Sequence, residues 1–263
     1  MKNYTVITGA SSGLGDAFAH EFARRGHPLI LVSLPHEGLN GLARQLASRY
    51  AVRVLYYEAD MSQRPAIDEF TAWIETQNIK IDILVNNAGI GGSSAFQEAD
   101  ADYLDRIIQL NVRGTALLTR ALIPLLLQNP HAYILNVSSI AAFSPLPYKM
   151  VYPATKAFIY SFSVGLHAEF RERGLRVCVV HPGAMPTNPD IKARLDRQGW
   201  LGRLSATSPR YVAQHAVRAA LAGSTVIVPG FVNQLNYWAF RYLPRQAVAL
   251  LASRVIRREL ALA

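Results

Sequence analysis

Apolar residues follow two alternating patterns along most of the chain. Short runs of valine, isoleucine and leucine predict strands, and longer stretches with an apolar residue at every third or fourth position predict amphipathic helices. The predicted strands cover residues 4–8, 28–33, 52–60, 81–89, 132–139, 175–183 and 224–230. The predicted helices cover residues 15–26, 39–50, 66–77, 102–128, 152–172 and 208–223.

The strand composition indicates how these elements pack. The runs are almost continuously apolar, as expected for parallel strands that are covered on both faces. Strands and helices that alternate at this spacing form right-handed crossovers. The pattern therefore predicts an α/β fold with a doubly wound parallel sheet of about seven strands and helices on both faces.

Length and composition narrow the class of protein. The chain has 263 residues, of which 51% are apolar and 17% charged, so a globular α/β protein is expected and disorder is not. Cys178 is the only cysteine, which excludes a disulfide within the chain and fits a reducing compartment. We find no secretory signal and no run of about 18 apolar residues, so we expect a cytoplasmic protein without a transmembrane helix.

The charge balance is basic, with 27 Lys and Arg residues against 18 Asp and Glu residues and a formal net charge of +9. Such a surplus fits nucleic acid, anionic lipid or an anionic ligand, and it equally fits a basic protein without such a partner. The basic residues are scattered and belong to no recognised nucleic-acid-binding module, so we expect no nucleic-acid partner.

A glycine-rich turn, "TGASSGLG" (8–15), connects the first predicted strand to the first predicted helix. Gly9, Gly13 and Gly15 allow a sharp reversal and leave room for a ligand against the backbone. The N–H groups at the start of the helix suit a pyrophosphate. A turn that only packs the helix close to the strand is the alternative, but the strand–turn–helix context favours a dinucleotide.

The end of the second strand bears on which dinucleotide binds. An acidic residue there would bind the ribose 2′-hydroxyl of NAD, and a basic residue would favour the 2′-phosphate of NADP. The chain reads "LVSLPHEG" (31–38), in which Leu34 is neither. We expect no carboxylate at the strand end, and Ser33 and His36 can help to hold a phosphate. This favours NADP over NAD.

Residues 151–158, "VYPATKAF", combine a tyrosine and a lysine at helical spacing. Pro153 suits the first turn of a helix, which puts Tyr152 and Lys156 on one face. A nearby ammonium lowers the pKa of a phenol, so the pair can act as a general acid or base toward a carbonyl or an alcohol. The alternative is a surface helix on which both side chains only pack.

A motif with two serines, "NVSS" (136–139), ends the fifth predicted strand. Strand ends at this edge of an open sheet face the ligand crevice, where a serine hydroxyl can hydrogen-bond a substrate oxygen. A helix cap or a strand-end turn is the alternative role for such serines.

Taken together, these motifs resemble the short-chain dehydrogenase/reductase family in its compact single-domain branch. The resemblance runs from about residue 4 to residue 230. It rests on motifs in the family's order, which are "TGASSGLG", Asp60, "NNAG" (86–89), Asn111, Ser139, "YPATK" (152–156) and "PGAMPT" (182–187). It implies a Rossmann-type domain at 1–230 that includes the active site, followed by a basic tail at 231–263 that belongs to the same domain.

The resemblance also implies roles for individual residues. Tyr152 would be the catalytic acid or base. Ser139 would orient the substrate, and Ser138 is the less favoured choice for that role. Lys156 would lower the tyrosine pKa and bind the nicotinamide ribose. Asn111 would hold a proton-relaying water through its backbone carbonyl. The cofactor would also be bound by Gly9, Ser11, Ser12, Gly13, Leu14, Gly15, Asp60, Met61, Asn87, Ala88, Gly89, Pro182, Gly183 and Thr187. No metal is expected.

The implied activity is the NAD(P)-dependent interconversion of a carbonyl and a secondary alcohol by hydride transfer. Phe143, Pro145, Leu146 and Pro147 are candidates for one wall of an apolar substrate site. Residues 184–207, with Trp200 and Leu201, are candidates for a mobile lid. A homodimer or homotetramer is implied. The alternatives are a non-catalytic dinucleotide-binding sensor or scaffold and a membrane-associated protein.

The tail at 231–263 carries five arginines and one glutamate. On a helical projection of 245–262, Val248, Leu251, Ala252, Val255 and Leu262 share one face, and Arg254, Arg257 and Arg258 lie opposite. Such a helix can lie on a membrane surface or pack on protein. We favour packing.

Overall fold

The computed structural model describes residues 3–149, 151–185 and 206–244, together with 246, 248–250 and 253. Seven parallel strands form one sheet in the order β3-β2-β1-β4-β5-β6-β7. Their bounds are β1 Tyr4–Thr8, β2 Leu29–Ser33, β3 Val54–Glu58, β4 Ile81–Asn86, β5 Ala132–Val137, β6 Leu175–Val180 and β7 Val226–Ile227. The predicted fold class is confirmed.

Helices connect the strands and cover both faces of the sheet. They are α1 Gly13–Arg24, α2 Leu39–Tyr50, α3 Arg64–Thr76, α4 Ala101–Ile108, α5 Thr115–Leu126, α6 Val151–Phe170, α7 Pro209–Leu221 and α8 Phe231–Tyr242. Short 3-10 helices cover Phe96–Glu98, Ile140–Phe143 and Arg171–Arg173. None of the helices in the described part of the chain is both long and apolar enough to cross a bilayer.

Two hydrophobic cores lie on opposite sides of the sheet because successive strand residues point to opposite faces. In β2, Leu29 and Leu31 pack in the core that α1, α2 and α7 cover. Ile30 and Val32 of the same strand pack in the core that α3, α5 and α6 cover. This arrangement explains why the strands read as continuous apolar runs.

Some element bounds differ from the predictions for identifiable reasons. The seventh strand was predicted over 224–230 but covers only Val226–Ile227. Pro229 has no N–H to donate, and Gly230 takes a φ of 93°, which turns the chain away. The helix predicted over 102–128 is interrupted by a π-helical segment, Gln109–Gly114, between α4 and α5. Helix α8 was not predicted, and most of the tail at 245–262 lies outside the described residues.

The strand order fixes where a ligand can bind. The chain runs from β1 outward to β3, returns to β4 beside β1, and then continues to β7. Ligands of open parallel sheets bind at such a switch point, beyond the carboxyl ends of the strands. The glycine turn after β1 and the "NNAG" motif after β4 meet at this point.

Candidate active site

A cleft of about 770 Å³ lies at the carboxyl ends of the strands. Residues that directly follow β1 to β6 line it, and so does the start of α6. It brings together most of the predicted site residues, which are Gly9, Ser11, Ser12, Gly13, Leu14, Ser33, Asp60, Met61, Asn87, Ala88, Gly89, Ser139, Tyr152, Lys156, Pro182 and Gly183. Gly15 and Asn111 contact lining residues from behind, and Thr187 lies outside the described residues.

The glycine turn is tightly closed. Gly9 and Gly13 take φ angles of 62° and 59°, which favour glycine. A Cβ atom on Gly15 would lie 1.9 Å from the carbonyl oxygen of Gly9. A side chain at position 15 would therefore push the turn away from the helix. The turn leaves the first N–H groups of α1 beside the cleft, where an anion can accept hydrogen bonds.

The "NNAG" motif steadies this turn from β4. Asn87 donates through Nδ2 to the carbonyl oxygens of Thr8 and Gly9, at 2.9 and 3.1 Å. The Thr8 hydroxyl in turn accepts hydrogen bonds from the backbone N–H groups of Asn87 and Ala88, both at 3.0 Å. Asn87 thus joins the ends of β1 and β4.

A carboxylate lies where none was expected. The Ser11 hydroxyl donates a hydrogen bond to Glu37 Oε2 at 2.6 Å, and Ser33 contacts the same oxygen. All three residues line the cleft. The expectation that no carboxylate stands at the end of β2 is therefore wrong. Glu37 is four residues beyond the strand, and His36 and Gly38, with φ angles of 65° and 77°, turn the chain back.

The end of β3 forms a compact turn at the cleft. Asp60 Oδ1 accepts a hydrogen bond from the backbone N–H of Ser62 at 2.9 Å. Met61 is buried. Asp60 therefore holds its own turn and also lines the cleft.

Lys156 is the most confined cation of the site. Its side chain is 5% exposed, and its Nζ atom donates to the Val137 carbonyl oxygen at 2.9 Å. The same atom lies 5.7 Å from the centre of the Tyr152 ring, within the range of a cation–π contact. Burial lowers the pKa of Lys156 from 10.5 to about 8. The side chain still carries its proton at neutral pH.

The two serines after β5 have different surroundings. Ser138 is buried and donates to the Lys156 carbonyl oxygen at 2.7 Å, so it ties the strand to α6. Ser139 precedes the 3-10 helix Ile140–Phe143, and its hydroxyl oxygen accepts a hydrogen bond from the Ala141 N–H at 3.1 Å. That bond leaves the Ser139 hydroxyl proton for another acceptor.

His181 directly follows β6, contacts Ser139 and was not singled out from the sequence. Its Nδ1 atom lies 3.0 Å from the Ser139 carbonyl oxygen. The ring packs against Phe143 and Tyr160 at centroid distances of 4.6 and 5.2 Å. Burial, together with the nearby charge of Lys156, lowers the pKa of His181 to about 4, so the ring is neutral and can donate from Nδ1.

Asn111 lies within the π-helical segment and is 1% exposed. Its Nδ2 atom donates to the Ile90 carbonyl oxygen at 2.9 Å and to the Thr155 hydroxyl at 3.1 Å. Its Oδ1 atom accepts from the Ile90 N–H at 3.0 Å. The side chain therefore locks the loop after β4 onto α6, while the predicted role of its backbone carbonyl stays a prediction.

Gly91 is a further site residue that sequence reasoning missed. A Cβ atom on Gly91 would lie 2.4 Å from Cδ2 of Tyr152. The loop therefore contacts the face of the tyrosine ring, and a side chain at position 91 has no space. The run "GIGG" (89–92) is the signal in the sequence, because such glycines mark a close approach of the backbone.

The segment after β6 closes the cleft on the side of α8. The Pro182 carbonyl oxygen accepts a hydrogen bond from the Ile140 N–H at 3.0 Å. A Cβ atom on Gly183 would lie 2.3 Å from the Asn233 Oδ1 atom. Of the predicted lid, 186–205 lie outside the described residues, including Trp200 and Leu201.

Known proteins share this architecture. Residues 3–198 match the family described as short chain dehydrogenase. The chain is 36% identical over 184 residues to the very-long-chain 3-oxoacyl-CoA reductase of Anas platyrhynchos, covering 68% of this chain and 58% of that protein. The chain thus spans a little over half of the length of that relative.

Solved structures agree with this match. The bulky-bulky ketone specific alcohol dehydrogenase of Comamonas testosteroni is similar, with a TM-score of 0.76, 28% identity and coverage of 92% of this chain and 95% of that one. The L-sorbose reductase of Gluconobacter frateurii, solved with NADPH and L-sorbose, has a TM-score of 0.77 and 29% identity, with coverage of 87% and 95%. The chain therefore belongs to the short-chain dehydrogenase family, whose members bind NAD or NADP, as its motifs predicted.

Proposed function

We propose that the protein is an NAD(P)-dependent oxidoreductase that interconverts a carbonyl and a secondary alcohol. The observation that carries this proposal is the buried Lys156 ammonium, which lies 5.7 Å from the Tyr152 ring centre at the wall of the cleft. A buried cation is costly, and buried titratable groups with shifted pKa values cluster at functional sites.

The cleft fits a dinucleotide. The tight turn at Gly9, Gly13 and Gly15 lets a pyrophosphate approach the backbone at the start of α1. Asp60 and Ala88 would line the adenosine side, and Lys156 would bind the nicotinamide ribose. When bound, the reduced cofactor supplies a hydride for the carbonyl carbon.

The chain's own residues handle the proton and the developing charge. In the direction of reduction, the Tyr152 hydroxyl donates its proton to the substrate oxygen. The Ser139 hydroxyl donates a hydrogen bond to the same oxygen, which orients it and stabilises its charge. The Lys156 ammonium stabilises the phenolate that Tyr152 becomes. In oxidation, the phenolate accepts the proton of the alcohol.

We propose a small or medium carbonyl compound with an apolar body as the substrate. Ile140, Leu146 and Met185 line the cleft beside the Ser139 segment and supply apolar surface. Phe143, an expected wall residue, instead packs against His181 and Tyr237, so it supports the wall from behind. Two of the similar proteins are described as acting on a 3-oxoacyl-CoA and on bulky ketones.

A homo-oligomer and a cytoplasmic location complete the proposal. An apolar surface pocket between α4 and α6, lined by Phe96, Ile108, Val112, Val151 and Ala154, supports contact between copies of the chain. Light scattering coupled to gel filtration gives the mass in solution. Fractionation of the producing cells tests the location.

The reaction is tested by screening ketones, aldehydes and secondary alcohols with both dinucleotides while the absorbance of the reduced cofactor is followed. We expect turnover of apolar ketones that disappears in Tyr152→Phe. Tight cofactor binding without turnover of any compound would instead favour a non-catalytic sensor or scaffold.

A further inference from the structure

Helix α8 exposes an apolar stripe, which we call the α8 outer face. It consists of Phe231, Leu235, Trp238 and Tyr242, which are 74%, 54%, 51% and 76% exposed. Their spacing of four, three and four residues places them on one side of the helix. Trp238 and Tyr242 stack with 6.0 Å between ring centroids and 11° between planes. Four large side chains thus form one continuous apolar surface.

The opposite side of α8 is fixed to the protein. Asn233 is buried, and its Nδ2 atom donates to the Pro229 carbonyl oxygen at 3.0 Å. The Tyr237 ring packs edge-on against Phe143, with 4.8 Å between the centroids. Because these contacts hold the helix, the α8 outer face points away from the body of the protein, beside the segment that carries Ser139.

The segment that begins with α8 is basic in sequence. Helix α8 contains no acidic residue and carries Arg241, which hydrogen-bonds the Tyr237 hydroxyl at 3.0 Å. The sequence from 231 to 263 contains five arginines and one acidic residue, Glu259, and of these charged residues only Arg241 lies within the described part of the chain. An apolar stripe of Trp, Tyr, Phe and Leu with neighbouring arginines is the composition of helices that lie at a bilayer interface.

We propose that the α8 outer face binds the surface of a bilayer that contains anionic lipids. The aromatic side chains would enter the boundary between headgroups and acyl chains, and the arginines would contact lipid phosphates. Charge decides against a second copy of the chain as the occupant. A two-fold contact through this face would bring together two copies of a helix that carries an arginine and no acidic residue, so the contact would gain no opposite charge.

This inference goes beyond the proposed reaction and does not depend on it. It has one consequence for the site, since Tyr237 of α8 packs on Phe143, four residues after Ser139. A bilayer on the outer face would lie on the side of the protein where this segment borders the cleft. An apolar substrate dissolved in the lipid would then be concentrated near the site.

The test is co-sedimentation of the full-length protein with vesicles of phosphatidylcholine alone or mixed with phosphatidylglycerol. We expect binding to the anionic vesicles that weakens with added salt. The double variant F231S/W238S should lower the affinity for anionic vesicles about tenfold or more. Y56S/Y211S, which changes two exposed tyrosines on β3 and α7, is the matched control and should bind like the wild type.

A second variant, L235S/Y242S, changes the other half of the same stripe and covers the case in which the first variant does not fold. Failure of the wild type to sediment with anionic vesicles, or equal sedimentation by folded variants, would overturn the proposal. The variants could instead show a smaller mass than the wild type in gel filtration and bind vesicles equally well. That result would identify the α8 outer face as a contact between copies of the chain and would also overturn the proposal. Turnover of a water-soluble ketone, measured in parallel, reports the proposed reaction separately.

Discussion

The Lys156 ammonium lies 5.7 Å from the centre of the Tyr152 ring and donates a hydrogen bond to the Val137 carbonyl oxygen at 2.9 Å. The two side chains are one helical turn apart at the start of α6, and β5 supplies the acceptor. The end of the strand therefore fixes the cation beside the tyrosine ring, where the proposed mechanism needs it to favour the phenolate form.

Replacing Tyr152 with phenylalanine removes the proton donor and keeps the ring. We expect the variant to lose turnover by about three orders of magnitude, because no other described side chain takes this role in the proposed mechanism. Cofactor affinity should change only slightly, since the glycine turn and Asp60 are untouched. Steady-state kinetics and a fluorescence titration with reduced cofactor measure the two effects. Wild-type turnover in this variant would remove Tyr152 from the mechanism.

Replacing Lys156 with methionine tests the energetics of the buried ammonium. The folded-state pKa of about 8 lies below the ordinary 10.5. Below pH 8, Lys156 carries its proton in both the folded and the unfolded state, and the buried charge lowers the free energy of unfolding. Between about pH 8 and 10.5, the folded state has released the proton and the unfolded state has kept it, so stability rises with pH.

The methionine variant lacks this pH-dependent contribution. We therefore expect the wild type to gain about 3 kcal/mol of unfolding free energy relative to Lys156→Met between pH 7 and pH 10.5. Urea unfolding of the cofactor-free proteins at both pH values measures the difference, and groups that do not interact with Lys156 cancel. A difference that does not change with pH would contradict the buried, deprotonating lysine.

Replacing Glu37 with glutamine tests the carboxylate at the end of β2. The carboxylate contacts Ser11 and Ser33 in the cleft, where it would repel a 2′-phosphate and can accept a hydrogen bond from a 2′-hydroxyl. We expect the variant to shift the ratio of NADP affinity to NAD affinity about tenfold toward NADP. Titrations with both dinucleotides at two salt concentrations measure the shift. An unchanged ratio would show that Glu37 turns away from the bound cofactor.

The sequence predicted the parts of the fold and site that depend on local patterns. Strands such as β2 are uniformly apolar because both faces are buried, and Tyr152 and Lys156 lie within one helical turn. Contacts made by chain reversal could not be predicted in this way. Glu37 reaches Ser33 where His36 and Gly38 adopt left-handed backbone conformations, and no periodicity encodes this.

Tertiary contacts explain the other differences. The pattern of 102–128 reads as one helix, and the π-helical interruption arises where Asn111 bonds to Ile90 and Thr155. Helix α8 was missed because its outer face is apolar and exposed, and its inner contacts, such as Tyr237 on Phe143, are distant in sequence. The sequence of such a segment does not show whether it forms a helix or which side packs on the protein until its tertiary contacts are known.

Replacing Gly91 with alanine tests whether the loop after β4 sets the position of the Tyr152 ring. The added Cβ atom would lie 2.4 Å from Tyr152 Cδ2, so either the ring or the loop must move. We expect turnover to fall about tenfold or more with little change in cofactor affinity, because the displaced hydroxyl no longer meets the substrate oxygen. Gly41→Ala is the matched control, since its Cβ atom in α2 would have no neighbour within 4 Å. It should keep wild-type turnover and gain slight stability from better helix propensity. A Gly91→Ala variant that is as active as Gly41→Ala would mean that the loop adapts, and the tyrosine would then be positioned by α6 alone.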